Sequence, residues 1–261
     1  MLACILLKKY YLDKRREEQE YEQIGAKEIK ELKAGLKQSL DFGAQPMNLL
    51  RKKAELITKL HKLDESFGEL VGQVQQLAQQ SSDGSETQVK GKMFAMYVFE
   101  LLSEFHLEQN QIVENQQSFM QIFSQALDDA DVRVKVAGLK ALTSFLGCLD
   151  DETNVMGYKQ MMGKLIDIVI QVLRSNEDEG RASLQSLIEL TSAYVEVWSG
   201  EIKKLIFVCS EIMKTTTFEQ GTRSAALQIV CTLAETEPKL LKDQSDSLAE
   251  HFFPAIFVML T

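Results

Sequence analysis

Apolar residues recur every three or four positions through most of this 261-residue chain. That spacing places them on one face of an α-helix, whereas a half-buried strand would alternate with period two. We find no convincing period-two segment bounded by turn residues, so the pattern predicts an all-α fold. Two clear stripes are Phe119, Ile122, Phe123, Ala126 and Leu127, and then Tyr158, Met161, Met162, Leu165, Ile166, Val169, Val172 and Leu173.

Short polar segments interrupt these stripes and predict that the helices come in pairs. The breaks include "LDDETN" (149–154) and "SNEDEG" (175–180). An unpaired helix is expected at each end, over about 2–12 and 243–261, while the charged segment 13–23 predicts a solvated loop or a frayed helix end. The predicted pairs are about 25–42/46–62, 64–80/85–107, 109–128/131–149, 154–175/179–198 and 199–215/219–235.

The sequence of a predicted second helix recurs three times in similar form. "DVRVKVAGLKALTSF" (131–145) is echoed by "GTRSAALQIVCTL" (221–233) and, in degraded form, by "GRASLQSLIEL" (180–190). Equivalent positions are 38, 45, 45 and 43 residues apart, at Leu56, Phe94, Leu139, Leu184 and Leu227. A two-helix repeat of this length is typical of HEAT and armadillo proteins, in which neighbouring repeats bury one continuous core. The turns leave little room for the third armadillo helix, so the prediction is a HEAT-repeat α-solenoid of about five helix pairs plus partial terminal helices.

Composition and charge narrow the class of protein further. The chain is 45% apolar and 26% charged, with a net charge of −9 and a pI near 5.0. Direct nucleic-acid binding is disfavoured, because phosphate contacts need Lys and Arg concentrated on one face. No apolar run approaches the roughly 20 residues of a membrane span, so no membrane insertion is expected. The cysteines, Cys4, Cys148, Cys209 and Cys231, form no metal or redox motif, which predicts reduced core thiols.

Enzyme signatures are missing from the sequence. "GSETQVKGKM" (84–93) superficially resembles a phosphate loop, but six residues separate its glycines where four are needed. His61, His106 and His251 are far apart without ligand or triad partners at motif spacing, which favours surface or helix-end histidines. We therefore expect no enzyme and no catalytic, cofactor or metal site.

The clearest repeat resembles the second helix of HEAT proteins, V-[RK]-x-A-A-x-x-A-L-x-x-[LF]. It reads Val134-Lys135-Val136-Ala137-Gly138-Leu139-Lys140-Ala141-Leu142-Thr143-Ser144-Phe145 and departs mainly by Gly138. The resemblance implies an inter-repeat ladder that joins Asp129 and Lys135. Arg223 also matches the basic position, although Thr217 stands where its Asp partner is expected, and Gly180 replaces the basic residue in the middle copy.

Residues 1–261 together resemble a single solenoid, the N-terminal arch of importin-beta (karyopherin-beta) nuclear transport receptors. The likeness rests on "ACILLKKYYL" (3–12), "LLRKKAELITKL" (49–60) and "RSAALQIVCTLAETEPKLLKD" (223–243), followed by "HFFPAIFVML" (251–260) with its internal Pro254. The last passage is nearest the branch that imports ribosomal proteins and histones. The first repeat's opening helix is missing, and the expectation is an N-terminal fragment of a longer receptor.

This resemblance implies partners rather than chemistry. Ran-GTP and basic protein cargo are expected on the second helices, and Phe-Gly nucleoporins between outer helices near 199–215 and 243–260. No cofactor is required, since the nucleotide belongs to Ran, and shuttling between cytoplasm and nucleus through nuclear pores is implied. Candidate partner-binding residues, on faces opposite the core stripe, are Arg133, Lys140, Ser144, Gln185, Glu189 and Gln228.

Other interpretations stay open from sequence. The acidic turns Asp128-Asp129-Asp131 and Glu177-Asp178-Glu179 suit helix capping, an acidic ridge for a basic partner, or both. Trp198 suits core packing at a helix end or an exposed anchor for a linear motif. Another HEAT scaffold, such as a phosphatase scaffold subunit or a vesicle-coat adaptor, would share the fold without the Ran cycle.

Overall fold

The computed structural model describes residues 26–63, 66–79, 84–104, 109–149 and 152–260. The chain divides into two compact units, Met1–Leu107 and Glu108–Thr261. Every regular element in the described residues is helical, which confirms the predicted all-α class. The predicted helix at 2–12 and the charged segment 13–23 lie outside the described residues, as does Cys4.

Unit 1, Met1–Leu107, contains two helical hairpins in its described part. In each hairpin the first helix packs on the second, and the two second helices also pack on each other. The turn at 39–46 is fixed from within, because Asp41 Oδ1 accepts hydrogen bonds from the backbone N–H groups of Gly43 and Ala44, both at 3.0 Å. The helices are α1 Ala26–Gln38, α2 Met47–Leu63, α3 Phe67–Ala78 and α4 Glu86–Glu104.

Unit 2, Glu108–Thr261, stacks its hairpins in two layers. Three hairpins pair α5 with α6, α8 with α9, and α10 with α11; α14 then packs on α10. First helices also contact the first helices of the next hairpin, and second helices contact second helices, which is the HEAT arrangement. The bounds are α5 Gln109–Leu127, α6 Val132–Leu146, α7 Glu152–Met156, α8 Met162–Leu173, α9 Glu177–Ala193, α10 Ile202–Lys214, α11 Gln220–Thr236, α12 Pro238–Lys242, α13 Ser245–Ser247 and α14 Phe253–Leu260.

The core lies between the two layers, where the apolar stripes meet. Leu139, Leu142 and Leu146 of α6 are fully buried, as the spacing predicts. Phe119, Phe123, Phe145 and Tyr158 form an aromatic cluster with centroids 5.3–6.3 Å apart, mostly edge to face. Of the five positions aligned from sequence, Leu56, Phe94, Leu139 and Leu184 are buried, whereas Leu227 of α11 is half-buried.

Three predicted helices are shorter or more broken than their apolar patterns suggest. The predicted helix 154–175 is split at Gly157 into α7, a 3₁₀ turn Lys159–Met161 and α8. The predicted helix 179–198 ends at Ala193, and Val195–Trp198 forms a 3₁₀ turn. A π-turn, Leu248–Phe252, precedes α14, whose second residue is Pro254. Proline has no N–H to donate and clashes with the preceding turn, which accounts for the irregular backbone there.

Individual side chains also correct the sequence interpretation. Trp198 is fully buried, so core packing is the right interpretation of that residue. His61 lies at the end of α2 as expected but is buried rather than on the surface. Its Nδ1 lies 2.9 Å from the Ser66 carbonyl oxygen and 2.7 Å from Ser66 Oγ, and this hydrogen bonding compensates for the burial of the ring. Cys209 is a core thiol, whereas Cys148 is half-buried and Cys231 is exposed, so the core prediction is wrong for Cys231.

Candidate functional site

The predicted partner-binding residues lie on the second helices of unit 2, which form one continuous row. Helix α6 packs against α9, and α9 against α11, so Lys140, Gln185 and Gln228 lie on three successive helices. Arg133, Gln185, Glu189 and Gln228 are exposed, while Lys140 and Ser144 are half-buried. The structure therefore places all six candidates in one layer, with four of them exposed to solvent.

Some of these candidates already have partners within the chain. Arg133 Nη2 lies 2.8 Å from Asp131 Oδ2, and Gln185 Nε2 donates to Glu189 Oε1 across one turn of α9 at 3.3 Å. Such contacts hold side chains in one rotamer and lower the entropic cost of a later association. The Arg133–Asp131 ion pair also reduces the charge that this face offers to a partner.

The residues of the predicted inter-repeat ladder make several hydrogen bonds within unit 2. Asp129 is buried and accepts from the backbone N–H of Asp131 within the same turn, at 2.9 Å. Lys135 Nζ lies 3.5 Å from Gln171 Oε1, at the end of the next hairpin's first helix. Arg223 donates through Nε to the Met213 carbonyl at 2.7 Å and through Nη2 to the Val258 carbonyl at 3.2 Å. Arg223 thus connects α11 to α14 without a carboxylate partner.

Two lysines make links between first helices that the sequence analysis missed. Lys164 Nζ of α8 lies 2.6 Å from Asp128 Oδ2, which directly follows α5. Lys204 Nζ of α10 lies 2.7 Å from Asp167 Oδ2 of α8 and donates to the Gly163 carbonyl at 3.0 Å. The signal was present as the tripeptide Lys-Leu-Ile at 164–166 and again at 204–206, an interval of 40 residues.

The acidic residues of these turns lie at the N-termini of the helices that follow. Asp131 is the N-cap of α6 and accepts from the backbone N–H of Arg133 at 2.8 Å. Hydrogen bonding to Arg133 also holds the pKa of the Asp131 carboxyl below its ordinary value. In α9 the cap is Asn176, which accepts from the Glu179 N–H at 3.2 Å, and Glu177-Asp178-Glu179 fill the first turn. Acidic residues there complement the helix dipole, so the capping interpretation is confirmed at Asp131 and shifted to Asn176 in the next hairpin.

The turn before α11 is joined to the start of α9 by further polar contacts. Arg181 Nη1 lies 2.8 Å from Glu219 Oε2, and Arg181 Nη2 lies 2.7 Å from Asp178 Oδ1. The Glu219 backbone N–H donates to Glu177 Oε1 at 2.7 Å. One arginine therefore serves two carboxylates on this edge, which lowers the free negative charge available to a partner there.

Unit 1 carries a polar cluster on its second helices, α2 and α4. The Arg51 guanidinium lies 5.4 Å from the centroid of the Tyr97 ring, a cation–π distance. Glu55, which is nearly buried, accepts from Tyr97 Oη at 3.4 Å and pairs with Lys52 Nζ at 2.7 Å. Burial, followed by the charge of Glu55, raises the pKa of Tyr97 to about 12. Its phenol therefore stays protonated and can donate.

Exposed apolar surface in the described residues is concentrated at one end of unit 2. Phe207 of α10 is 45% exposed and contacts His251 edge to face, with ring centroids 5.1 Å apart. On α14, Phe253, Phe257 and Leu260 are 51%, 69% and 79% exposed. Their spacing of four and three residues makes them one stripe. This surface overlaps the two segments, 199–215 and 243–260, where outer-helix clefts are predicted.

Comparison with known proteins assigns this helical architecture to a family. Residues 51–208 match the model of the family described as IPO5-like, TPR repeats. The chain belongs to this IPO5-like family. That match runs from α2 to α10 and so includes the hairpins that carry most of the candidate partner-binding residues, as well as both lysine links. No curated protein sequence matches the chain.

Solved karyopherin structures have the same fold as this IPO5-like chain. It is similar to crystal structures of Kap121p alone (TM-score 0.70, 18% identity) and of Kap121p bound to RanGTP (0.70, 17%) or to Nup53p (0.69, 18%). Each likeness covers 93% of this chain and 21–22% of the Kap121p chain. The chain thus spans about one fifth of those proteins and is a karyopherin-like HEAT-repeat segment in fold.

The described part of the IPO5-like chain contains neither a cluster of potential metal ligands nor a helix that could span a membrane. The described residues hold no cluster of three or more His, Cys, Asp or Glu that could bind a metal ion. Across that same part of the chain, no helix combines the length and the apolarity needed to cross a bilayer.

Proposed function

We propose that this chain is a nuclear transport receptor segment that binds Ran-GTP and protein cargo on its second helices and has no enzymatic activity. The observation that carries the proposal is the row α6–α9–α11 with its polar outer face, in a chain of the IPO5-like family. A Kap121p with the same fold has been crystallised with RanGTP. By this proposal the chain works in both cytoplasm and nucleus and shuttles through nuclear pores.

Release of cargo would follow from competition on this surface. If Ran-GTP and cargo overlap on the second helices, or prefer different curvatures of the hairpin stack, binding of one lowers the affinity for the other. This mechanism needs no cofactor held by the chain. It needs only two ligands that bind with negative cooperativity, which corresponds to a positive coupling free energy between them.

The charge distribution supports a basic cargo. Residues 108–261 contain 13 Lys and Arg against 22 Asp and Glu, a net charge of −9, whereas residues 1–107 contain 16 of each. The whole net charge of the chain therefore belongs to unit 2. Ribosomal proteins and histones are rich in Lys and Arg, and we extend the proposal to cargo of this class. The same balance argues against direct nucleic-acid binding.

The exposed aromatic residues support a further partner. Phe207 and the stripe on α14 offer apolar surface on first-layer helices, away from the second-helix face. Phe-Gly nucleoporins present isolated Phe side chains, which suit shallow apolar sites of this kind. We include them as partners of α10 and α14.

The first test is a calorimetric titration of the chain with Ran loaded with a non-hydrolysable GTP analogue, and with Ran-GDP in parallel. The proposal expects binding selective for the GTP form. Lys140→Glu should weaken it, whereas Lys203→Glu, the same charge reversal on first-layer α10, should leave it unchanged. Helical content measured by circular dichroism would confirm that both variants are folded.

The outcomes separate the parts of the proposal. Equal binding of both nucleotide forms, or none, would refute the Ran part and leave a HEAT-repeat protein with another partner, such as a phosphatase scaffold or coat adaptor. An equal loss of Ran-GTP affinity in both variants would show that Ran does not contact the second helices selectively. Cargo competition is tested by adding a Lys- and Arg-rich peptide to the Ran-GTP complex.

A further inference from the structure

Helix α2 of unit 1 is the most basic helix in the described part of the chain. It has five basic residues against one acidic residue, Glu55, which gives a net charge of +4. Lys53 is buried and donates to Gln45 Oε1 at 2.9 Å in the turn before α2. The other charged residues recur with helical spacing and form one outer face of α2, in which only Glu55 is buried. We call this face the basic stripe; its residues are Asn48, Arg51, Lys52, Glu55, Lys59 and Lys62.

Arg51 of the basic stripe is held by an aromatic ring rather than by a carboxylate. Its guanidinium carbon lies 5.4 Å from the centroid of the Tyr97 ring, on the adjacent second helix α4. Within the described residues the Arg51 side chain makes no ion pair and no hydrogen bond. Arg133 of unit 2 differs, because its Nη2 lies 2.8 Å from Asp131 Oδ2. Since Arg51 is exposed, its N–H donors remain available to a partner.

The ring that supports Arg51 is itself fixed in place. Tyr97 Oη donates to Glu55 Oε1 at 3.4 Å, and Lys52 Nζ lies 2.7 Å from the same oxygen. Lys52 thus balances the charge of Glu55, while the charge of Arg51 stays open to a partner. A guanidinium on an aromatic face keeps its edge free, and that edge can bind a carboxylate through two parallel hydrogen bonds. Because the ring already restricts the arginine side chain, binding costs less conformational entropy.

The spacing of the basic stripe suits an extended acidic peptide. At about 1.5 Å per residue along a helix, Lys62 lies about 16 Å from Arg51. An extended chain rises about 3.3 Å per residue, so about five residues bridge these two positions. A nucleic acid fits less well, because Glu55 and the nearby Glu100 of α4 interrupt the positive surface that a phosphate backbone needs.

We propose that the outer face of α2 and α4 binds an acidic segment of a partner protein, and that Arg51, held against Tyr97, takes one of its Asp or Glu carboxylates. Lys59 and Lys62 attract the rest of the segment along α2. This surface belongs to unit 1 and lies outside the row α6–α9–α11. Its ligand has the opposite charge to the Lys- and Arg-rich cargo proposed for unit 2, so the two units select ligands by the sign of their charge.

Fluorescence anisotropy of the full chain with a labelled oligoglutamate tests the proposal. A peptide of about eight residues is long enough to follow the basic stripe, and an oligoglutamine of equal length is the uncharged control. We expect the oligoglutamate to bind and the oligoglutamine to remain free. The oligoglutamate alone should protect amides of α2 and α4 from hydrogen exchange.

Matched variants separate a specific contact from general attraction. Arg51→Glu should weaken oligoglutamate binding about tenfold, whereas Lys30→Glu, the same charge reversal on exposed first-layer α1, should change it by less than about twofold. Arg51→Lys keeps the charge but loses the planar fork and should cost about threefold. Tyr97→Leu should cost about as much, while Tyr97→Phe keeps the ring face and should bind like the unmodified chain. Circular dichroism and urea unfolding identify any variant that is not folded, in which case Arg51→Lys and Tyr97→Phe carry the comparison.

Three results would overturn the proposal. Failure of the oligoglutamate to bind would show that the basic stripe is an ordinary solvated face. Equal losses in Arg51→Glu and Lys30→Glu would mean that only the general field of unit 1 attracts the peptide. Equal affinity for a single-stranded oligothymidine of the same charge would point to a nucleic acid instead of an acidic protein. Neither Ran nor basic cargo is present in these titrations, so the test is independent of the proposed function.

Discussion

At the scale of single residues, glycines decide how closely the hairpin helices approach. A Cβ on Gly138 would lie 2.8 Å from the Ala126 Cβ, and one on Gly180 would lie 2.5 Å from a Leu173 side-chain carbon and 2.9 Å from its Cα. These contacts explain two departures from the repeat pattern. Gly138 replaces the alanine of the repeat pattern because α5 packs directly against that position. Gly180 replaces the basic residue of the pattern because α8 packs directly against Gly180 in the same way.

We predict that Gly180→Ala destabilises unit 2 by about 1–3 kcal/mol, the usual cost of overpacking a close contact. The matched control is Gly221→Ala, near the start of α11, where the added Cβ would meet only the movable end of Arg181 at 3.3 Å. Urea unfolding of both variants measures the difference. A Gly180→Ala chain as stable as the control would show that α8 and α9 can separate at little cost.

The cysteines give a second prediction at this scale. Burial raises the pKa of Cys209 to about 12, while the pKa of exposed Cys231 is raised by partial burial and by the nearby Glu235. The thiolate is the reactive form. At about pH 8, iodoacetamide should therefore modify Cys231 and leave Cys209 intact until the chain unfolds. Glu235→Gln should accelerate modification of Cys231, and mass spectrometry of time points would measure both rates. Rapid modification of Cys209 in the folded chain would contradict the packing of α10.

At the scale of helices, the N-cap of α6 makes the stability of the folded chain depend on pH. Hydrogen bonds to Arg133 lower the pKa of the Asp131 carboxyl, which is the N-cap group. The carboxyl therefore binds a proton more weakly in the folded state than in the unfolded state. The stability this gives is present above the unfolded pKa, near 3.9, and is lost as pH falls through the folded value.

We predict that Asp131→Ala costs about 1 kcal/mol at neutral pH, the usual effect of losing a cap. Asp131→Asn should cost less, because the amide oxygen can still accept from the Arg133 N–H. The gap between Asp131→Asn and the unmodified chain should close as the solution is acidified through the folded pKa. Chemical unfolding at a series of pH values measures this gap, and a constant gap would mean that the carboxylate charge plays no part.

The helices also show how far the sequence specifies the structure. All five hairpins could be predicted from the helical spacing of the apolar residues, because the apolar stripe of each helix packs against the opposite helix layer. The breaks at Gly157, Tyr194 and Leu248 were missed, since apolar residues such as Val197 and Trp198 continue the stripe after the helix itself has ended. The lysine links were missed for a different reason. Each depends on the register of two helices 36 or 37 residues apart, which periodicity within one helix does not give.

At the scale of the whole chain, the row of second helices could be predicted from sequence. The hydrogen-bond and ion-pair partners of its residues within the chain could not. Arg133 faces outward as predicted, yet its guanidinium is held by Asp131. Arg223, whose expected aspartate position is Thr217, contacts two backbone carbonyls. A repeat pattern specifies which face a residue occupies, whereas its hydrogen-bond partner depends on the neighbouring turn.

The last prediction follows from the division of charge between the two units. Because the net −9 belongs to residues 108–261, a Lys- and Arg-rich peptide should protect amides of unit 2 from hydrogen exchange and leave unit 1 unprotected. Its affinity should fall as salt rises from about 0.05 M to about 0.5 M, because screening weakens exposed charge pairs. The matched control is the same peptide with glutamate at each basic position. Equal protection of both units would show that binding follows contacts specific to the peptide rather than the acidic field of unit 2.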